Sequence, residues 1–68
     1  MGTLYVYFAN AGLGIKAHLV MVEHNGRVSL DSTIRAWSRF ELEKTLNAVW
    51  PNWIDANKIA ERVNYENS

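Results

Sequence analysis

Histidine, aspartate and serine are the side chains from which a proton-transfer or nucleophilic site would be built, and this chain spaces few of them usefully. Its two histidines, His18 and His24, fall six residues apart on one predicted strand. At roughly 3.3 Å per residue that separates them by about 20 Å, too far to share a metal ion. No His-x-x-x-His run or paired-carboxylate cluster compensates, and the absence of cysteine excludes thiolate-zinc sites and disulfides. Both histidines therefore read as solvated strand residues, and no metal or cofactor is expected. Nucleophilic catalysis needs a nucleophile, a base and an orienting group within reach. Ser29, Ser32, Ser38 and Ser68 each have a local role in a strand, turn, cap or tail. Asp31 and His18 can approach across a hairpin, but no serine is secured beside them. Gly12-Leu13-Gly14 is too short for a phosphate-binding loop, and no helix begins after it. The expected role is non-enzymatic.

What the residues offer instead is a surface. Tyr5, Tyr7, Val20 and Val22 are expected on the outer face of a small sheet, rimmed by Lys16, His18, His24 and Arg27. Aromatic residues and Arg are enriched at protein contacts, and charged rims are typical of them. This reading makes the chain a protein-binding module whose partner is another protein, with a second copy forming a homodimer as one version of it. The bland counterpart is a strand face left partly exposed or covered by the C-terminal segment. A different class of partner is single-stranded nucleic acid, with Tyr5 and Tyr7 stacking bases while Lys16, Arg27 and Arg35 meet phosphates.

These side chains depend on a hairpin whose register can be read directly. Asn25-Gly26 favours a two-residue type I′ loop, because both positions need positive φ. That loop sets His24 against Arg27, Glu23 against Val28, Val22 against Ser29 and Met21 against Leu30. Side chains alternate along a strand. One face then carries Ile15, Ala17, Leu19, Met21, Val28 and Leu30; the other carries Lys16, His18, Val20, Val22, His24, Arg27, Ser29 and Asp31. Thr3 to Ala9 reads as a first strand with Leu4, Val6 and Phe8 inward, followed by a loop from Asn10 to Gly14. Asp31-Ser32 marks a break, after which Thr33 to Trp37 either extends the third strand past a bulge or is irregular.

Ser38-Arg39-Phe40-Glu41 has the form of a capping box opening a helix. Leu42, Leu46, Val49 and Trp50 form its buried stripe, while Arg39 with Glu43 and Glu41 with Lys44 make exposed pairs. Pro51 stops the run, and Asn52 caps a second helix from Trp53 to about Tyr65, with Trp53, Ala56, Ala60 and Val63 on one side. Trp37, Trp50 and Trp53 are expected in the core or at its margin. The fold class is α+β: a three-stranded antiparallel sheet (β-meander) followed by two helices packed on one face. All 68 residues make one domain, with strands about 3–9, 15–23 and 27–31 and helices about 39–50 and 53–65.

Seven basic and seven acidic residues balance to zero. A dedicated nucleic-acid binder usually carries a basic surplus, so neutrality favours the protein partner. Near-zero charge also promotes self-association. The opening Met-Gly-Thr-Leu lacks a basic n-region, Val6 breaks the myristoylation pattern, and no apolar run approaches the ~20 residues of a membrane span. The expectation is a cytoplasmic protein without a membrane partner.

A strand ending in a Gly-containing loop, a hairpin, and Ser38-Arg39-Phe40-Glu41-Leu42 opening a helix resemble the first half of the ribonuclease H fold. In that family the helix entry reads Asn-Arg-Met-Glu-Leu and its Glu is a metal ligand, a position matched by Glu41. The family's strand-one Asp would fall near Ala9 or Asn10, neither of which is acidic. Its later strands and remaining carboxylates have no counterpart in these 68 residues. The resemblance implies shared β-β-β-α topology without nuclease activity. In size and style the chain is also similar to small phage-encoded inhibitors, including anti-CRISPR proteins, which implies action by occupying a partner's surface.

Overall fold

Alternation of apolar and polar residues gives three long strands. In a computed structural model of the chain, which describes residues 2–59, these are β1 (Thr3–Ala11), β2 (Gly14–Val22) and β3 (Val28–Ala36). Helix α1 (Arg39–Val49) and a two-residue strand, β4 (Ile54–Asp55), follow. The sheet order is β3-β2-β1-β4, with β1, β2 and β3 an antiparallel meander and β4 parallel to β1. Strands and helix together make the expected α+β fold, but among the described residues the sheet has four strands rather than three.

Leu4, Val6 and Phe8 from β1, Ala17 and Leu19 from β2, and Leu42 and Leu46 from α1 are buried as one cluster. Ile15, Met21, Leu30, Ile34, Trp50 and Trp53 pack around it. The strand residues are the inward alternates, so α1 covers one face of the sheet, and among the described residues no helix covers the other. At the start of α1, Ser38 Oγ accepts from the Glu41 amide at 3.3 Å, as an N-cap should. Val49 is 57 % exposed and falls outside the buried stripe, whereas Trp50 stays against the core.

The hairpin loop differs from a type I′ turn. Asn25 keeps negative φ and only Gly26, at φ 83°, is left-handed. The Glu23 amide donates to the Arg27 carbonyl at 2.8 Å and the Gly26 amide to the Glu23 carbonyl at 2.9 Å, giving a three-residue loop with glycine at its αL position. A left-handed Asn is thereby avoided. The longer loop shifts the pairing by one residue, and a bulge at the Met21/Val22 step takes it back. Met21 therefore faces Leu30 as expected, while Val22 faces Val28 and Ser29 is the extra residue. Val28 leaves the core face and is 51 % exposed.

Three further expectations change. β3 runs unbroken through Asp31-Ser32 to Ala36, beyond the expected end at residue 31, because Ser32 faces Leu19 and Ile34 faces Ala17 in a continuous ladder. Residues 53–55 are not helical: the chain leaves α1 through a turn closed by Trp53 donating its amide to the Trp50 carbonyl at 3.0 Å, and Ile54–Asp55 then joins β1. Asp55, rather than Asn52, caps the helical residues 56–59, its Oδ1 accepting from the Asn57 amide at 3.0 Å and the Lys58 amide at 3.3 Å. The remainder of the expected second helix, residues 60–65, lies outside the described residues. Trp37 is not in the core; it is 75 % exposed. No helix among the described residues is long and apolar enough to cross a membrane.

Candidate functional site

The face of the sheet opposite α1 is organised in cross-strand rows, because paired residues share a side. At one end Ala9, Lys16 and Arg35 align. Next come Tyr7, His18 and Thr33, then Tyr5, Val20 and Asp31, and finally Thr3, Val22 and Val28. Ile54 flanks Tyr5 from β4. The structure thus gathers Tyr5, Tyr7, Lys16, His18, Val20 and Val22 on one surface. Tyr7 is 52 % exposed, while Tyr5, Val20 and Val22 are half-buried by one another and their neighbours.

His24 and Arg27 are not brought into that surface. Both are exposed in the hairpin loop, beyond the last ladder pair, so strand alternation no longer places them. Arg27 is used through its backbone: its amide donates to Asn25 Oδ1 at 2.9 Å and its carbonyl accepts from Glu23. Two apolar residues that sequence reasoning did not put here, Val28 and Ile54, extend the patch instead. Val28 arrives through the bulge and Ile54 through a non-local pairing with β1, neither of which a local pattern signals.

The surface is polarised. Val28, Val22, Val20, Tyr5 and Ile54 form its apolar end, and Lys16 opposite Arg35 forms its cationic end. Between them His18 Nε2 lies 2.5 Å from Asp31 Oδ1, the approach across the hairpin that the sequence allowed. Both side chains are substantially solvent-exposed, so the pair orients the imidazole without making a desolvated site. Among the described residues, no serine or other nucleophile is hydrogen-bonded to either member. Among the described residues, no three His, Asp or Glu side chains group to hold a metal ion.

A second cluster sits on the helix side, at the β1 edge. Arg39 donates through Nε to Glu43 at 2.9 Å and through its terminal nitrogen to Asp55 at 2.7 Å. Its guanidinium lies 4.2 Å above the Phe8 ring, which meets Trp53 edge-on at 5.8 Å. Glu43 first, then Asp55, hold the Arg39 pKa above its ordinary value. For Asp55, burial pushes the carboxyl up. The Arg39 hydrogen bond and the Lys58 and Asn57 amides outweigh it, so the net pKa is lowered. Arg39–Glu43 was legible as an i,i+4 pair; Asp55 joins only because β4 exists. Glu41 is exposed and, among the described residues, forms no ion pair with Lys44.

Two grooves lie at opposite ends of the sheet. One, of about 400 Å³, is lined by Leu13, Ile15, Arg35 and Trp37; the other, of about 600 Å³, by Leu4, Met21, Trp50 and Trp53. Neither gathers the convergent polar groups of a small-molecule site. Comparison with protein-family models, curated proteins and solved structures found no match.

Proposed function

We propose that this chain is a non-enzymatic protein-binding module that acts by occupying a partner's surface with the open face of its sheet. The observation that carries the reading is the contiguous patch of Tyr5, Val20, Val22, Val28 and Ile54, with Tyr7 projecting beside it and charged residues at its margins. An aromatic-aliphatic centre inside a polar rim is the anatomy of a contact site. Small size and the lack of an assembled nucleophile or metal cluster among the described residues support a blocking role, like that of phage-encoded inhibitors of host proteins of the anti-CRISPR kind. The cysteine-free composition suits a reducing, cytoplasmic setting. The ribonuclease H resemblance is proposed as topology alone, since Ala9 and Asn10 on β1 supply no carboxylate near Glu41's helix.

The test is capture from host lysate with wild type and with Tyr5→Ala/Tyr7→Ala, after nuclease and at moderate salt. A stoichiometric protein retained by wild type and lost by the variant, with circular dichroism unchanged, is the expected result. Equal retention by both would refute the assignment of the face. One observation favours a second reading: Lys16 opposite Arg35 juxtaposes two cations beside Tyr7, as a phosphate-and-base contact would require. That reading predicts recovery only with intact nucleic acid and steep loss with salt.

A further inference from the structure

We propose that β3 is a self-pairing edge, through which two copies of the chain join into one continuous sheet about a two-fold axis at Thr33. The two edges of the sheet are treated differently by the sequence. The β1 edge is closed by β4 at Tyr5 and Val6 and by the Asn57 side chain at Phe8. Among the described residues, β3 ends the sheet on the other side and has no strand paired to its outer edge. It contains no Pro or Lys to blunt it, and its bulge is confined to the loop end. From Leu30 to Ala36 the ladder with β2 is regular, and Thr33 is the midpoint of that run.

An antiparallel pairing centred there sets Thr33 opposite its own copy. It also sets Asp31 opposite the copy's Arg35, and Arg35 opposite the copy's Asp31. All three side chains lie on the outer face, where opposite charges and Thr pairs across strands are favourable. On the inner face Leu30 meets the copy's Ala36, and Ser32 meets the copy's Ile34. The register is selective. Shifted pairings that centre on Asp31 or on Arg35 set like charges face to face, and centring between these points leaves neither charge matched. An edge whose charges match in one register and are opposed or unmatched in its neighbours is self-complementary, as an isologous interface must be. Arg35 has no ion-pair partner among the described residues, and Asp31 Oδ2 has none beyond its Oδ1 contact to His18. The zero net charge adds no long-range repulsion between copies.

This inference stands on the β3 edge alone and does not depend on the Tyr5–Tyr7 face. It is tested by sedimentation velocity from micromolar to submillimolar chain concentration, on wild type, Asp31→Arg, Arg35→Asp and the double charge swap. Wild type should dimerise. Each single reversal sets like charges opposite twice and should weaken association by about tenfold or more. The swap should restore it. Arg35→Asp leaves the His18–Asp31 pair in place, so its effect is not a loss of that contact. Because the chain has no cysteine, Thr33→Cys gives an independent reading: mild oxidation should trap a covalent dimer through facing thiols, and Thr45→Cys on α1 should not. A wild type monomeric across the range, single variants that associate normally, or a swap that fails to rescue would each overturn the proposal. Normal dimerisation of Tyr5→Ala/Tyr7→Ala would support it as a separate property of the chain.

Discussion

Asn57 behaves as a detached piece of strand, and its replacement offers a sharp test of how the β1 edge is closed. Its Oδ1 accepts from the Phe8 amide at 2.7 Å and its Nδ2 donates to the Phe8 carbonyl at 3.1 Å, the pair of bonds a neighbouring strand would make. β4 supplies such a neighbour only as far as Val6. Each bond contributes about 0.5–1.5 kcal/mol net, so Asn57→Ala should cost about 1–2 kcal/mol after allowing for replacement by water at this part-buried edge. With an m-value near 1 kcal/mol/M for so small a chain, the urea midpoint should fall by roughly 1–2 M. Trp53 fluorescence is a suitable probe, because its ring meets Phe8 edge-on. Asn57→Asp discriminates between mechanisms. If residue 57 mattered only as a position in the first helical turn after Asp55, a new carboxylate there would be neutral or stabilising through the helix dipole. As a strand clamp it must destabilise, since the donor to the Phe8 carbonyl is lost and a negative charge faces that oxygen. Aspartate as stable as wild type, with unchanged hydrogen-exchange protection of the Phe8 amide, would refute the clamp.

Asp55 makes stability pH-dependent: its folded pKa lies below the ordinary carboxylate value, so its contribution is complete above about pH 4 and is lost as pH falls through the folded pKa. Acid titration of unfolding should therefore show a steeper decline in wild type than in Asp55→Asn. Leu46 is fully buried between helix and sheet. Leu46→Ala should cost about 2–5 kcal/mol against a net stability of about 3–5, leaving a chain largely unfolded by circular dichroism at room temperature. Gly26→Ala forces a Cβ into φ 83° and should lower stability by about 1 kcal/mol, read from the urea midpoint, without changing the spectrum.

Local rules recovered what local forces decide. The alternation that buries Leu4, Val6, Phe8, Ala17 and Leu19, the Ser38 cap and the Arg39–Glu43 pair all follow from spacing of a few residues. What escaped was non-local or compensating. The hairpin register near Met21 came out right although the loop did not, since the extra loop residue is cancelled by the bulge at Ser29. No composition rule signals a bulge whose effect is to restore the expected pairing. Asp31 and Ser32 suggested a break because both are polar, yet an edge strand half open to water tolerates them. Ile54–Asp55 read as the first turn of a helix because Trp53 and Ala56 fit that period; pairing with a strand nearly fifty residues earlier outweighed it. The candidate face was legible for the same reason and to the same extent. Residues within regular β1 and β2 were placed, whereas His24 and Arg27 failed where the ladder ended.

The face and the β3 edge constrain each other. Self-pairing at Thr33 would make the Tyr7, His18 and Thr33 row continue into the same row of the copy, with Tyr7 and its counterpart five strand spacings apart, about 24 Å at 4.8 Å per spacing. A partner carrying two sites at that distance would gain avidity, whereas a single-site partner would bind two to a dimer without gain. The pairing also draws Arg35 toward the Asp31 of the copy and away from its role beside Lys16. Nucleic acid and a second copy therefore compete for the same guanidinium. If the chain binds oligonucleotide through Lys16 and Arg35, added oligonucleotide must shift the sedimentation equilibrium toward monomer. A protein ligand seated on Tyr5, Val20 and Val22 lies two rows from Arg35 and makes no demand on that guanidinium, so it should leave the dimer intact. The direction of that shift separates the two partner classes even before either ligand has been identified.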